Sequence, residues 1–563
     1  MTTYALSDSF SLSGEWYLPA DAGQTIAGVL QYSQEGTELR LHSTFRPLMG
    51  TISAGDSSPE YPVVCGVTTS GEPVTILKAI RSGNSISFGA VGLRQAERLI
   101  SSWLLIGQHV DAGTTYPEVH FRVPGLQVWL SRAMVQEKFG DNAELGGHFY
   151  SFQLLPLQDE SVRVASLNAT VAFEPRYTTS SDQFSISVTS EAWIVIRPDT
   201  PQTLEWHLEQ HGRLEPLLAF LAGIPMSPDR IEAKLSGSLS AVAVQVSMRD
   251  VHYCTFKGLH EFFMPRGTMD LDLPLLVNNW FELNQQVRTP SQLALSVLGS
   301  ERLWLHVEFL SLIQALEGFH RGLYPGTYMS DEAYERVKRS IGGAIPSDIG
   351  ADHRASLASR IRYGNQISLA KRLNQLVGCL PESVREVVLG TDGKIPRSWI
   401  DTRNYHTHWD EELRANVIEG KEMHNANVRM RSLLRVLYLR HVGVPEVALL
   451  KALTNTSNVS QQLVHVNAMD ARRRNPSAAT ASLVTIGATR LVDESHAETT
   501  PPVSAPQDLS ACDVAATDEK AAIDDPAAND NTNPTTDDLA VSEVVPRESS
   551  SEGVQGTEER PRA

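Results

Sequence analysis

One arginine to grip a phosphate and one histidine to move protons are the least that metal-free phosphodiester cleavage needs. The run Asp401-Thr402-Arg403-Asn404-Tyr405-His406-Thr407-His408-Trp409 holds both. A guanidinium stays protonated and presents a planar fork to phosphate oxygens, and an imidazole titrates near neutral pH. Arg403 and His408 are separated by four residues. Two other pairs have similar spacing, Arg435/His441 and Arg490/His496, which is about the number chance provides in 563 residues. Context therefore has to select among them.

Arg490/His496 lies in a polar stretch that cannot hold a geometry. Arg435/His441 falls in the last turns of a helix pattern, where cations meet the helix's negative end. Arg403/His408 instead lies between Pro396-Arg397-Ser398-Trp399 and a helix expected from about Glu411. In a straight helix, residues five apart point about 140° apart. Convergence of the two groups thus asks for a helix start or an irregular turn. Asn404 and His408, four apart, share a helix face. On residue chemistry alone, a polar cluster at the end of a bundle is the competing explanation.

The elements that must position these groups follow from periodicity. Residues 1 to about 190 alternate with a period of two and are broken by polar, Gly-containing turns, which predicts antiparallel hairpins in a sandwich or curved sheet. Strands are expected at 26–32, 39–42, 61–67, 74–77, 120–123, 127–130, 184–188, 192–196 and 241–248. A helix is expected over Leu204–Ala222, ended by Pro225 and Pro228. From about 295 the period becomes 3.6. Apolar faces run through 301–323, 354–377 and 411–441, the last stopped by Gly443 and Pro445. The expected fold class is α+β, with a β-rich domain (1–290), a helical bundle (295–455) and a disordered acidic tail (456–563). The boundary is placed near Thr289-Pro290. No Phe, Trp or Tyr follows Tyr438, so the tail has little with which to offset its ordering entropy.

The helical region resembles the Apea-like HEPN domain. The likeness is carried by Phe309-Leu310-Ser311-Leu312-Ile313-Gln314-Ala315-Leu316-Glu317-Gly318-Phe319-His320-Arg321, by Arg362-Tyr363-Gly364-Asn365 and by Leu369-Ala370-Lys371-Arg372-Leu373. It continues through Thr402-Arg403-Asn404 with His408 and ends in Leu433-Leu434-Arg435-Val436-Leu437. Gly14-Glu15-Trp16-Tyr17-Leu18-Pro19, followed by Ile26-Ala27-Gly28-Val29-Leu30, resembles the β-rich domain that precedes this module in ApeA-type proteins. The resemblance implies a metal-independent endoribonuclease of abortive-infection defence against phage, with Arg403 and His408 catalytic. Asn404 and Glu317 are expected to orient them. His406 places a second imidazole inside the motif. Such sites are usually built by two protomers, so a homodimer or larger assembly is implied, with RNA as substrate and no cofactor or metal. The β-rich half would sense a phage-derived trigger or hold the helical domain autoinhibited.

Composition sets the outer limits. The formal charge is −18, yet 501–563 carries 14 acidic against 4 basic residues while 300–450 carries 18 against 20. The acidity therefore does not bar the helical region from a polyanion. Cys65, Cys254, Cys379 and Cys512 are far apart, as in a reducing cytoplasm. No run of about 18 apolar residues predicts a membrane span, and the first eight residues lack the blocks of a signal peptide. The histidines of the β-rich half (His42, His109, His120, His148) are scattered and read as structural. Two other functions remain open: a non-catalytic HEPN scaffold that binds RNA or nucleotide, and a carbohydrate-type β-sandwich binder using Trp16, Trp103 and Trp129.

Overall fold

The structure is a computed structural model that describes residues 4–46, 60–89, 92–130, 135–142, 147–155, 159–238, 240–247, 258–300 and 302–474. It has the expected α+β class, with β-rich structure followed by helices.

The first six strands are β1 (Phe10–Tyr17), β2 (Ile26–Ser33), β3 (Gly36–Leu41), β4 (Glu60–Thr68), β5 (Pro73–Gly89) and β6 (Gly92–Ser101). They pair antiparallel in the order β5-β4-β1-β2-β3-β6, and β6 pairs again with β5, so the sheet closes on itself. Closure removes free edges. Alternate residues point inward: Trp16, Leu30, Tyr32, Leu39, Leu41, Tyr61, Val64, Val74 and Leu99 fill the interior. A Cβ at Gly66 would come within 2.3 Å of the Trp16 ring, so only glycine leaves room for the indole there.

Downstream strands are β7 (Trp103–Ile106), β8 (Glu118–Arg122), β9 (Val135–Asn142), β10 (Gly147–Leu154), β11 (Glu160–Val164), β12 (Ala169–Ser181), β13 (Ile186–Pro198), β14 (Arg230–Lys234) and β15 (Ala241–Val246). Through β7, which continues β6 along the same edge of β5, the sheet opens into β7-β15-β14-β8-β13-β12-β11. β9 and β10 form a separate hairpin. The expected runs 184–188 and 192–196 fall on one strand, β13, except for Phe184 and Ser185, which precede it. The run expected as a strand at 127–130 is instead a helix, α1 (Leu126–Leu130). Gly125, at φ +83, turns the chain there, and its carbonyl accepts from Trp129 N–H at 3.0 Å.

The longer helices start with α2 (Leu204–Ala222), at the expected residues, although Pro216 lies inside it and Gly223 in the left-handed region ends it. A short α3 (Arg266–Met269) precedes α4 (Leu273–Gly299), α5 (Leu305–Leu323), α6 (Asp331–Gly343), α7 (Ala351–Tyr363) and α8 (Leu369–Gly378). Then come α9 (Glu382–Leu389), α10 (Arg397–His408), α11 (Gly420–His441), α12 (Glu446–Leu453) and α13 (Asn458–Arg474). α4 runs through the stretch 285–295 and absorbs Pro290 by a kink at Val287 (φ −122°, ψ 28°). The run 354–377 is two helices, α7 and α8. Residues 327–366 make a compact unit of their own, in which the Asn365 side chain clasps both backbone groups of Met329 at 2.9 and 3.1 Å.

One face of the open sheet packs on helices. Phe121, Phe173, Ile194 and Val244 share a single core with Leu214, Phe220, Trp280, Phe319 and Leu434. Tyr438 of α11 stacks on Phe220 of α2 at 4.5 Å and meets Phe319 of α5 edge-on at 4.5 Å. Of the indoles that suggested a carbohydrate binder, Trp16 and Trp129 are fully buried, and Trp103 is half-buried with Lys78 5.4 Å over its ring. Among the described residues, no helix is long and apolar enough to cross a membrane.

Residues 458–474, expected in the disordered tail, form α13. Leu463 and Val466 reach the core on one face, Asn467 donates to the Val387 carbonyl at 2.8 Å, and Asp470 pairs with Arg429 at 2.7 Å. Aliphatic spacing replaced the missing aromatics. The remainder of the tail, 475–563, lies outside the described residues. A chain ended at 474 is expected to melt like the full chain. One ended at 457 should melt several degrees lower, because two buried aliphatic side chains contribute about 1.5–3 kcal/mol each. Equal melting of the two truncations in calorimetry would contradict this packing.

α2 also carries a buried His211–Glu215 pair, 3.7 Å apart. Burial pushes the Glu215 carboxyl up to about 8 and the His211 imidazole down to about 3. Both groups are therefore neutral at pH 7, rather than an ion pair. A raised carboxyl pKa gives stability that is full below about 4.5 and lost as pH rises through 8. Glu215→Gln should flatten the fall in melting temperature between pH 5 and 9, whereas parallel curves for variant and parent would exclude this ionisation.

Candidate active site

The motif occupies one helix. Pro396 precedes α10 in an extended conformation, and Trp409 ends it in the left-handed region (φ +54°), with its N–H on the Tyr405 carbonyl at 2.6 Å. A bulky residue rarely adopts that conformation. The helix expected from Glu411 is corrected to a 3-10 turn at Glu411–Asn416, and α11 begins only at Gly420 (φ +52°). The cause is visible in the side chains. Asp410 caps the turn through Glu412 N–H at 3.1 Å. Buried Asp401 accepts from Asn416 at 3.1 Å and from Arg397 at 3.0 Å. Buried Thr402 accepts from Ile418 N–H at 3.0 Å. Arg414 donates to the Tyr405 hydroxyl and lies 5.3 Å over its ring. The chain after the motif is thus folded back and fastened to α10.

Arg403 is half-buried, with Nη2 3.8 Å from a Glu317 carboxylate oxygen on α5 and Nη1 donating to Asn404 Oδ1 at 3.2 Å. Glu317 also binds Arg321 at 2.7 Å, so one carboxylate holds two guanidinium groups side by side. Glu317 and Asn404 therefore do meet Arg403, across 86 positions in the first case. His408, on the last residue of α10, is exposed. The helix is regular between the two residues, so Arg403 and His408 diverge by about 140°. Within one chain they do not converge.

His406 is half-buried, and its Nε2 is enclosed with no hydrogen-bond partner among the described residues. Its ring stacks on His306 at 5.8 Å and 24°. Burial first, and then the His306 ring, hold its pKa below the ordinary imidazole value, so it is neutral at pH 7. Trp304 and Trp409 flank this pair, with centroids 6.5 Å from His306 and 6.3 Å from His406. Trp304 and His306 carry no periodic or motif signal, and sequence reasoning did not find them.

The rival pair is structural. Arg435 is buried on α11 and donates to the Gly223 carbonyl at 2.7 Å, so it caps α2 rather than its own helix. Burial pushes its pKa down to about 9. His441 bonds the Leu437 carbonyl at 2.7 Å and the Tyr324 hydroxyl at 2.9 Å. Arg490 and His496 lie outside the described residues. In the β-rich half, His42 is exposed, His109 meets Tyr17 at 3.3 Å, and buried His120 sits between Arg176 and Glu118. The side chain of His148 is outside those described. No three His, Cys, Asp or Glu side chains converge among the described residues.

Residues 11–275 match the family model for ApeA N-terminal domain 1, and residues 310–447 match that for Apea-like HEPN. No curated protein and no solved structure matches the chain.

Proposed function

We propose that this chain, which belongs to the ApeA type through its ApeA N-terminal domain 1 and its Apea-like HEPN domain, is an endoribonuclease acting in anti-phage defence. The observation that carries this reading is Arg403, paired with Glu317 and Asn404 five residues before an exposed His408. The reaction is cleavage by the substrate's own ribose. An imidazole takes the 2′-OH proton, the 2′-oxygen attacks the adjacent phosphorus, and the 5′-oxygen leaves with a proton. The products are a 2′,3′-cyclic phosphate and a 5′-OH. His408 suits proton transfer because its exposed imidazole can come within reach of a substrate hydroxyl. Arg403 suits the growing charge on the phosphate oxygens. Glu317 offers the guanidinium a charge partner at 3.8 Å, and Asn404 accepts a hydrogen bond from it at 3.2 Å. His406, held neutral and enclosed, is a supporting residue.

The 140° divergence favours a site shared by two copies, each offering a helix α10. It is also the one observation that favours the second reading, a non-catalytic scaffold that grips RNA phosphates with Arg403. The β-rich half is assigned to sensing a phage-derived trigger. Purified full chain incubated with total RNA in EDTA separates the readings. Cleavage with cyclic-phosphate ends is expected of the nuclease, and a mobility shift without cleavage is expected of the scaffold.

A further inference from the structure

We propose that Trp304, His306, His406 and Trp409 form a stacking strip that takes the bases of single-stranded RNA beside Arg403 and His408. This deepens the reading above and rests on it. The four rings follow one another at centroid separations of 6.5, 5.8 and 6.3 Å. The two indoles at its ends are 78% and 69% exposed, although tryptophan is normally among the best-buried side chains. Both stand at helix ends, Trp304 before α5 and Trp409 after α10. Trp409 keeps its place in a backbone conformation unfavourable to a bulky residue, and such outliers gather where function fixes the geometry. Tyr405 supports the strip from below, 5.3 Å from His406 and 5.8 Å from Trp409.

Three features select unpaired RNA as the occupant rather than an apolar protein surface. The strip is continuous with the candidate site, because Trp409 adjoins His408 and His406 lies between Arg403 and His408. Its two end rings, Trp304 and Trp409, offer exposed π faces on either side of the stacked His306–His406 pair, and bases of any identity stack on such faces when they are not already stacked in a duplex. Cations flank it: Arg414 reaches over Tyr405 with its side chain 58% exposed, and Arg403 lies one turn back. The acids Asp410, Glu411 and Glu412 follow Trp409 directly, which leaves the Arg403 side for the phosphates. Single-strandedness also fits the chemistry, since in-line attack by a 2′-OH needs a backbone free to swing.

The test uses the full chain and a single-stranded 2′-O-methyl oligoribonucleotide, which stacks but cannot be cut. Trp304→Ala and Trp409→Ala are each expected to weaken binding about 10-fold or more, while Trp304→Phe retains most of it. An abasic strand of equal charge should bind the parent protein as weakly as the double alanine variant binds the intact strand. Equal binding of parent and variants overturns the proposal, as does failure of the parent to prefer the intact over the abasic strand. A change of mass in light scattering for the tryptophan variants, with the abasic preference unaltered, assigns the strip to a second copy of the chain and equally overturns it. Because the oligonucleotide is not cleaved, a failed nuclease reading leaves this readout unmoved. That failure is seen separately, as absent cutting of ordinary RNA by a protein that still prefers intact strands.

Discussion

Alanine in place of Arg403 or His408 is expected to lower RNA cleavage by about 10²–10⁴-fold and to abolish any growth arrest that the activated protein causes. The two losses have different origins. On the proposed mechanism, His408 is the group that accepts the 2′-OH proton and returns one to the leaving oxygen. Without Arg403 the extra charge on the phosphate has no fixed partner. Neither change should unfold the chain. His408 is exposed, and Glu317 keeps Arg321 at 2.7 Å when Arg403 is removed. Arg403→Lys keeps the charge but loses the planar fork, and it should stay well below the parent. His406→Ala should be milder, since its Nε2 is enclosed within the fold. Arg435→Ala and His441→Ala should act through stability alone, because both side chains hold carbonyls or a hydroxyl inside the fold. The comparison is single-turnover cleavage per folded molecule, with thermal melts alongside. Wild-type rates in folded Arg403→Ala and His408→Ala proteins would show that the site is elsewhere, and unfolding of both would make the cluster structural.

What sequence could and could not foresee follows from the range of the forces involved. α2 was legible because its helical period is followed at once by Pro225 and Pro228, although Pro216 lies inside the helix and Gly223 is the residue that ends it. α4 was obscured by Pro290, which reads as a breaker although a kink at Val287 accommodates it. Strands β2 to β5 announced themselves by alternation. Their closure into a barrel did not, because it depends on β6 pairing with both β3 and β5. α13 was missed because aromatic content is a poor guide where Leu463 and Val466 suffice. At the site, Arg403, Asn404 and His408 lie within six residues and could be singled out by chemistry. The false helix start at Glu411 came from overlooking the cap at Asp410 and the ties from Asp401 and Thr402. Trp304 and His306 are about a hundred positions from His406, and only the packing of α5 beside α10 brings the rings together.

Co-assembled Arg403→Ala and His408→Ala chains are expected to recover activity that neither has alone. Residues five apart on a regular helix diverge by about 140°. α10 stays helical through His408, so one chain cannot close both groups on one phosphate. Arg403 faces Glu317 on α5, whereas His408 faces solvent at the helix end. Two copies related by a twofold axis can solve this, with Arg403 of one approaching His408 of the other. In a mixed dimer one of the two composite sites then has both groups intact and the other has neither. Random pairing makes about half the dimers mixed, so an equimolar co-assembly should reach about a quarter of the parent rate. Differently tagged chains expressed together and purified through both tags should reach about half. Recovery would have to disappear when each chain is assayed separately. If doubly tagged dimers of confirmed mass cut no faster than the single variants, Arg403 and His408 act within one chain, and the last turn of α10 must unwind around the substrate to bring them together.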